Sequence, residues 1–422
     1  MPEIRDRQPI PAPAAAAVPV NIKEVAVRAG VSVATVSNVL NRPDIVADKT
    51  RDRVLAAISE LGYVRNESAR QLRTGGSRTI GLVVPDVANP FFTDLARGVE
   101  DEVGNTGLAL ILCNSDDQSG REKRYLDLLE EHRVRGVLIA PVTGALTELA
   151  GLRRRGTPVV FVDGHPPSGG HCSASVDDVE GGDLAVSHLL EQGHRSIAYV
   201  SGPPGVRQVA DRRAGALRAL DRAGRAPDSL AVIEVGTLNV TAGQQAGDRI
   251  AALPPGARPT AVFCANDLIA LGVLQQMTRN RIRVPEELAI VGYDDIEFAA
   301  AAAVPLTSVR QPCRQLGRTA ARLLLDEAAE NDGPRHRHRR VIFQPELVVR
   351  HSTQEAGPTF AAAARSPPGG ETQLSRTGPG DSHPCRSSSA AWRLAILRRT
   401  YTLSPSPWTV RRPGVAPVAL GA

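Results

Sequence analysis

Cysteines are few in this 422-residue sequence, and they follow no recognisable spacing. No two of them form a CxxC pair, which argues against both a disulfide framework and a zinc site. Two of them, Cys113 and Cys264, lie in apolar runs, where a thiol usually packs as a small buried hydrophobe. The remaining cysteines are Cys172, Cys313 and Cys385.

Long apolar runs are missing as well. The first 20 residues include an alanine-rich stretch, but prolines interrupt it, so it does not resemble a signal peptide. No segment reaches the roughly 18 apolar residues that a membrane-spanning helix needs. We therefore expect a cytoplasmic protein, and the alternative of an exported solute-binding protein for transport is disfavoured.

Signatures of catalysis and of cofactor binding are also lacking. No predicted strand ends in a nucleophile–base pair, a metal cluster, a phosphate loop or a dinucleotide fingerprint. His336 and His338, in PRHRHRR, suggest a metal site, but a basic stretch between the last helix and the last strand is more often a solvated loop. The prediction is a protein that is not an enzyme and that has neither cofactor nor metal.

Charge is unevenly distributed, although the net value is only +5. Residues 21–78 carry 10 Lys and Arg against 6 Asp and Glu, and residues 358–422 carry 8 Arg against 2 acidic residues. The stretch between them is net acidic. A basic end on an acidic body suits a protein that presents that end to phosphate groups.

Residues 21–63 show the periodicity of three short helices. The second is expected from Val33 to Asn41, with Ser32 as its N-cap and Thr35 at the third position. The third is expected from about Asp48 to Leu61. Apolar spacing and a terminating glycine define the first helix through Ile22, Val25, Ala26, Ala29 and Gly30. The residues expected to face the core of the other two helices are Val36, Val39, Leu40, Val54, Leu55, Ile58 and Leu61.

Two short helices joined by a tight glycine turn, with a third that completes the core, are typical of a helix-turn-helix. The second helix of that motif enters the major groove of DNA, where Asn38 can pair with an adenine edge. The alternative is a three-helix domain with a solvated basic face. The candidate DNA-binding residues of this segment are Ser32, Val33, Ala34, Thr35, Ser37, Asn38 and Arg42.

The identities of these residues indicate more about function than their periodicity does. IKEVAVRAGVSVATVSNVLN, followed by DKTRDRVLAAISELGYVRNESARQLRTGGSRTIGLVVPD, closely resembles the lactose/galactose repressor (LacI/GalR) family. The family commonly has a proline where this chain has Arg65. The resemblance extends to about residue 353. It implies a transcription regulator, most simply a repressor, that binds a pseudo-palindromic DNA operator as a homodimer and responds to a small-molecule effector.

The segment Asn66 to Arg73 contains good helix formers but spans barely two turns, and isolated helices of that length are marginal in water. The resemblance implies that two such hinge helices fold together in the minor groove of the operator. Leu72 then matches the leucine that wedges between base steps, with Ala69 and Arg70 as its neighbours and Asn66 at the start. The alternative is a passive linker.

From Thr79 onward, short apolar runs alternate with helical stretches. Examples are TIGLVV, LALILC, GVLIA, PVVFVD, SIAYVSG, TAVFCAND and LAIVGYDD. Such runs are typical of parallel strands that are buried on both faces. Two doubly wound parallel-sheet lobes are therefore expected behind the helix-turn-helix, with a ligand in the cleft beyond the carboxyl ends of the strands. By resemblance, this is the architecture of periplasmic sugar-binding proteins.

Candidate effector-binding residues lie at or near these strand ends. Asp163 and Asp294 can each accept hydrogen bonds from the hydroxyls of a sugar. The polarity of the predicted pocket favours a carbohydrate over a purine. For each aspartate, a turn or capping role is the alternative. Asp267 is expected to be an N-cap instead. The resemblance adds the aromatic pair, for which core packing is the alternative, and an arginine and an asparagine. The complete set is Phe91, Phe92, Asp163, Arg212, Phe263, Asn266, Asp294 and Gln311.

The predicted organisation has five parts. A disordered arm (1–20) precedes the helix-turn-helix head (21–65), and a hinge and linker (66–78) lead to a two-lobed effector-binding body (79–353). Residues 354–422 are rich in Pro, Ser, Gly, Ala and Arg and are predicted to be a disordered tail.

Overall fold

A computed structural model of the chain describes residues 20–64, 77–142, 146–164, 166, 170–329 and 336–354. The predicted arm, apart from residue 20, and the tail beyond residue 354 lie outside this part of the chain. The hinge prediction lies outside it too, together with its candidate DNA-binding residues Asn66, Ala69, Arg70 and Leu72. No helix among the described residues is both long and apolar enough to cross a membrane.

The head consists of three helices, as predicted: α1 (Ile22–Ala29), α2 (Val33–Asn41) and α3 (Asp48–Leu61). The side chain of Ser32 caps α2 by accepting a 3.0 Å hydrogen bond from the backbone N–H of Thr35. Gly30 and Gly62 end their helices in the left-handed conformation, at φ of 61° and 63°, which glycine adopts without steric cost.

One core position of the head was predicted wrongly. Leu55 is 47% exposed, and the buried residue of α3 beside Val54 is Ala57. The reason is helical geometry, because Ala57 lies three residues after Val54 and so shares its face, whereas an adjacent residue points away. Leu40, Ile58 and Leu61 are only partly buried and pack at the edge of this core.

The body contains two α/β lobes, each built on a sheet of six described strands. In the first, the N-lobe, the strand order is β11-β5-β4-β3-β1-β2 and every pairing is parallel. The elements of the N-lobe, numbered in chain order, are β1 (Thr79–Val84), α4 (Pro90–Val103), β2 (Ala109–Asn114), α5 (Ser119–Glu131), β3 (Val137–Ile139), α6 (Leu146–Arg154), β4 (Val159–Val162), β5 (Cys172–Val176), α12 (Cys313–Ala329) and β11 (Arg340–Phe343).

The second lobe, the C-lobe, repeats the plan with the order β12-β10-β9-β8-β6-β7, where only the pairing of β12 with β10 is antiparallel among the described strands. Its elements are α7 (Asp178–Glu191), β6 (Ile197–Ser201), α8 (Arg207–Arg222), β7 (Leu230–Glu234), α9 (Val240–Ala251), β8 (Ala261–Cys264), α10 (Asp267–Arg279), β9 (Ala289–Asp294), α11 (Glu297–Ala301), β10 (Thr307–Arg310) and β12 (Glu346–Val348).

The central strands are buried on both faces, which confirms the expectation drawn from their apolar runs. Every residue of β4, β8 and β9 is buried, and Cys113 and Cys264 are among the buried residues of their strands, as expected. The chain passes between the lobes at residue 177, at residues 311–312 and at residues 344–345. The carboxyl ends of both sheets therefore face the cleft that these crossings border.

Candidate functional site

A cavity of about 630 Å³ lies between the two lobes. Residues that follow or end eight of the parallel strands line it, four strands from each sheet. Six of the eight predicted effector residues are in the lining: Phe91, Phe92, Asp163, Arg212, Asn266 and Asp294. Asp163 and Asp294 were predicted from their places at strand ends, and the other four from the family resemblance.

The aromatic pair lies on the N-lobe side, in the first turn of α4. The side chain of Asn89 caps this helix by accepting a 3.1 Å hydrogen bond from the N–H of Phe91. The rings of Phe91 and Phe92 meet edge to face, with centroids 5.0 Å apart. Both also pack in the N-lobe core, so each ring shares its surface between core and cavity. Phe161, which the sequence did not single out, adds a third ring to the lining.

Arg212 is held on the C-lobe side by a close helix pair. Glycines let α7 and α8 approach until their backbones touch: a Cβ at Gly182 would lie 2.0 Å from the carbonyl oxygen of Arg212, and one at Gly215 would lie 1.9 Å from that of Val179. This close packing fixes the backbone from which the arginine side chain extends. Larger residues at either glycine would push the two helices apart.

The guanidinium of Arg212 is almost fully buried, at 4% exposure for the residue. It donates to Asp178 at 2.8 Å and to the carbonyl of Ala265 at 2.6 Å, and it lies 3.6 Å from the centroid of the Tyr293 ring. Burial opposes its charge, but Asp178, Tyr293, Asp294 and Asp163 together outweigh burial and raise the pKa of Arg212 well above its usual value. Arg212 is therefore a fixed cation at the wall of the cavity.

Asp163, just beyond β4 in the N-lobe, adopts a left-handed backbone conformation with φ of 53°. Its Oδ1 is buried and accepts no hydrogen bond from the described residues. Gln208 of the C-lobe donates to its Oδ2 at 3.3 Å and also to its carbonyl oxygen. Burial, followed by the charge of Asp178, raises the pKa of Asp163 well above its usual range. A ligand hydroxyl can supply the partner that Oδ1 lacks within the described structure.

Asp294 ends β9 in the C-lobe, and its two oxygens are already engaged. Oδ1 accepts a 2.8 Å hydrogen bond from Gln311, and Oδ2 accepts a 3.3 Å hydrogen bond from Asn89 of the N-lobe. Burial raises the pKa of this carboxyl to about 6. The bonds from Asn89 to Asp294 and from Gln208 to Asp163 both join the lobes across the cavity, and the sequence analysis identified neither donor.

Two predicted residues do not line the cavity. Phe263 lies fully buried within β8, with Tyr199 at 5.1 Å and Tyr293 at 6.4 Å between ring centroids, because its strand position points into the C-lobe core. Gln311 lies in a crossing between the lobes and donates a hydrogen bond to Asp294. Neither has a direct route to a ligand in the cleft.

The cap of α10 was assigned to the wrong neighbour. Asn266, not Asp267, is the N-cap: its side chain accepts a 2.9 Å hydrogen bond from the N–H of Ile269. Its amide nitrogen donates to the carbonyl of Leu238 at 3.0 Å. Asp267 is the first residue of the helix and is buried, where it accepts hydrogen bonds from Ser308 at 2.6 Å and from the N–H of Ile296 at 2.9 Å.

The candidate DNA-binding surface is the outer face of α2. Val33, Ala34 and Asn38 are exposed there, whereas Val36 and Val39 are buried against the other helices. Thr35 and Ser37 are partly buried between the two faces, and Ser32 and Arg42 are exposed at its ends. Such a face, with its apolar side packed away, has the shape that fits a major groove.

Known protein families match both the head and part of the body of this chain. Residues 21–66 match the family model described as bacterial regulatory proteins, lacI family, and residues 186–353 match the model of a periplasmic binding protein-like domain. Among curated proteins, the chain is 36% identical over 333 residues to the HTH-type transcriptional repressor PurR of Aliivibrio fischeri, an alignment that covers 78% of this chain and 97% of the relative.

Two solved structures illustrate the structural likeness. A LacI-family transcriptional regulator from Enterococcus faecium with bound ribose is 31% identical, with a TM-score of 0.60 over 65% of this chain and 98% of its own. The lac repressor dimer bound to operator and the anti-inducer ONPF is 28% identical, with a TM-score of 0.67 over 80% of this chain and 99% of its own.

Proposed function

Because the chain belongs to the LacI family of transcriptional repressors, with a helix-turn-helix domain and a ligand-binding domain, we propose that a sugar bound in its inter-lobe cavity controls its affinity for DNA. It binds a pseudo-palindromic operator as a homodimer, in the cytoplasm. The effector changes the angle between the lobes and thereby the placement of the paired hinge segments. A coupling of roughly 1–3 kcal/mol is typical of such linkage.

The observation that carries the choice of effector is the buried Oδ1 of Asp163 in the lining of the cavity, which accepts no hydrogen bond from the residues that the structure describes. In its ionised form this carboxyl accepts hydrogen bonds only, and ligand hydroxyls that donate to Oδ1 stabilise that form against the burial that raises its pKa. The site therefore selects a ligand that is rich in donors, such as a polyol. Five aspartates and two arginines line the cavity, which disfavours an anionic ligand. The three phenylalanine rings offer apolar surface to the carbon face of a sugar ring.

The ligands of related proteins agree with this chemistry. One relative was solved with ribose and another, the regulator CelR, with cellobiose. The lac repressor was solved as a dimer on its operator, which supports the same assembly here. We propose the domain bounds 21–65 for the head, 66–78 for the hinge and linker, and 79–353 for the body.

The DNA contacts that we propose divide into two groups. Residues of the major-groove helix are Ser32, Val33, Ala34, Thr35, Ser37, Asn38 and Arg42, and residues of the hinge are Asn66, Ala69, Arg70 and Leu72. The effector contacts are Phe91, Phe92, Asp163, Arg212, Asn266 and Asp294. Basic side chains position the protein on phosphates, and sequence is discriminated through the base edges.

Asp163 provides the test of the effector. A thermal-shift screen of sugars, with nucleobases as comparison ligands, first finds a ligand that raises the melting temperature. Asp163→Asn is then expected to lower the affinity for that ligand by roughly 10- to 100-fold, because a hydrogen bond to a charged group contributes about 1.5–3 kcal/mol. Calorimetry measures this change. Asparagine tolerates the left-handed backbone of this position, so the change removes charge without adding strain.

Asp116→Asn is the matched control, because Asp116 also has a left-handed backbone and borders the cavity, but its side chain is half exposed and accepts from Arg121 at 3.0 Å. We expect this variant to bind within about threefold of the parent chain, as exposed ion pairs contribute little. Equal affinities of the two variants would reject Asp163 as the donor-selecting group. A response to nucleobases alone would reject the sugar.

A further inference from the structure

Four side chains with metal-binding chemistry meet in the N-lobe, away from the cavity. They are Cys172 at the start of β5, Glu327 in the last turn of α12, and His336 and His338 in the segment that leads into β11. Their donor atoms all lie within 4.8 Å of one another. This placement differs from the sequence prediction, which made the two histidines part of a solvated loop.

Four of the six separations between donors lie between 3.1 and 3.9 Å. Sγ of Cys172 lies 3.1 Å from Nε2 of His336 and 3.9 Å from Nδ1 of His338. Oε2 of Glu327 lies 3.8 Å and 3.9 Å from the same two nitrogens. A tetrahedral zinc site, with bonds of about 2.3 Å to sulfur and about 2.0–2.2 Å to nitrogen and oxygen, needs donors roughly 3.3–3.6 Å apart. These four separations are within a few tenths of an ångström of that requirement, and the other two are at most 4.8 Å.

The cluster is enclosed. Cys172 and Glu327 are buried, and the imidazoles of His336 and His338 are only 12% and 18% exposed. Burial raises the pKa of the Cys172 thiol, and the backbone N–H of Arg339, which donates to Sγ at 3.3 Å, partly offsets this. His171 is not part of the cluster, because its Nδ1 faces the carbonyl of Val159 at 3.3 Å.

We propose that Cys172, Glu327, His336 and His338 bind one divalent cation of the zinc class. A thiolate and two imidazoles select zinc or a similar transition ion over magnesium or calcium, which prefer oxygen ligands. Four protein ligands in a nearly closed site are typical of structural zinc, which keeps no open position for a substrate. The ion would fasten the end of α12 to β5 and to the segment before β11, and this role is independent of the effector cavity.

One neighbour opposes binding. Nη2 of Arg153 lies 3.3 Å from Nε2 of His338. When Nδ1 of this histidine binds an ion, Nε2 carries the proton and can no longer accept from the arginine. Arg153 is exposed, so its side chain can turn into solvent. Arg153→Ala is therefore expected to bind the ion at least as tightly as the parent chain.

The test uses the full chain, stripped with a chelator and dialysed against zinc. Elemental analysis is expected to find about one ion per chain, and zinc is expected to raise the melting temperature. Loading with Co²⁺ is expected to give the intense visible bands of a tetrahedral ion and a thiolate-to-cobalt charge-transfer band. Cys172→Ser should lose the charge-transfer band, and its affinity for zinc should fall at least about tenfold. Cys113→Ser, at a buried cysteine of β2 in the same sheet, should keep both.

Binding of less than about a tenth of an ion per chain would overturn the proposal, and so would equal zinc affinity in the two cysteine variants. The cobalt spectrum of the unaltered chain decides the matter even if Cys172→Ser fails to fold. Octahedral bands without charge transfer would mean that cobalt sits on surface histidines instead, and this outcome also overturns the site.

Discussion

Replacing Arg212 by methionine is expected to lower the free energy of unfolding by roughly 3–5 kcal/mol and to abolish the effector response. The arginine is the buried partner of Asp178, at 2.8 Å. Its removal leaves that carboxylate buried without its cation, and the cost of an uncompensated buried charge exceeds that of most single substitutions. Urea unfolding of the full chain, monitored by circular dichroism, measures the change.

The next residue of the same helix is a matched control. Arg213 is exposed, so Arg213→Met is expected to change stability by less than about 0.5 kcal/mol. Adding Asp178→Asn to the Arg212→Met chain should recover part of the loss, because it removes the stranded charge. If Arg212→Met and Arg213→Met were equally stable, Arg212 would not be the fixed cation described here.

Asn38→Ala in α2 is expected to weaken operator binding by roughly 30-fold or more. A bidentate contact from asparagine to adenine contributes about 1–3 kcal/mol of discrimination, and a dimer makes the contact in each half-site. Because asparagine carries no charge, binding to random DNA and the dependence of operator affinity on salt should stay unchanged. Band-shift titrations at two salt concentrations separate these effects.

Asn41→Ala supplies the control on the same helix. The amide of Asn41 already donates to the carbonyl of Ser37 at 2.6 Å, within its own helix. Its loss should change operator affinity by no more than about threefold, through a small effect on the helix end. An equal loss on operator and on random DNA in the Asn38→Ala chain would show that this residue carries no sequence information.

The elements whose local chemistry is strong were predictable. The helix from Val33 to Asn41 follows from an N-cap serine and apolar spacing, and Asp163 and Asp294 follow from the ends of apolar runs. The short strand Cys172–Val176 does not stand out as an apolar run because CSASV contains two serines, although all five residues are buried. Burial of such a strand depends on neighbours that the local sequence does not specify.

Contacts between distant segments could not be predicted from the sequence. The bond from Asn89 to Asp294 joins residues on different lobes, and nothing local to either marks it. Phe263 was misplaced because an apolar run does not tell which residue points to a cleft and which to the core. The absence of CxxC spacing argued against a zinc site, yet three separate segments bring Cys172 beside His336 and Glu327.

The most direct test of the account is the affinity of the full chain for its operator, measured by fluorescence anisotropy at physiological salt with and without the sugar found by thermal shift. We expect tight binding to one pseudo-palindromic sequence and a change of about 5- to 150-fold on adding the sugar, absent in Asp163→Asn. If the chain binds the sugar but its affinity for the operator does not change, the result would contradict the claim that the cleft controls DNA binding.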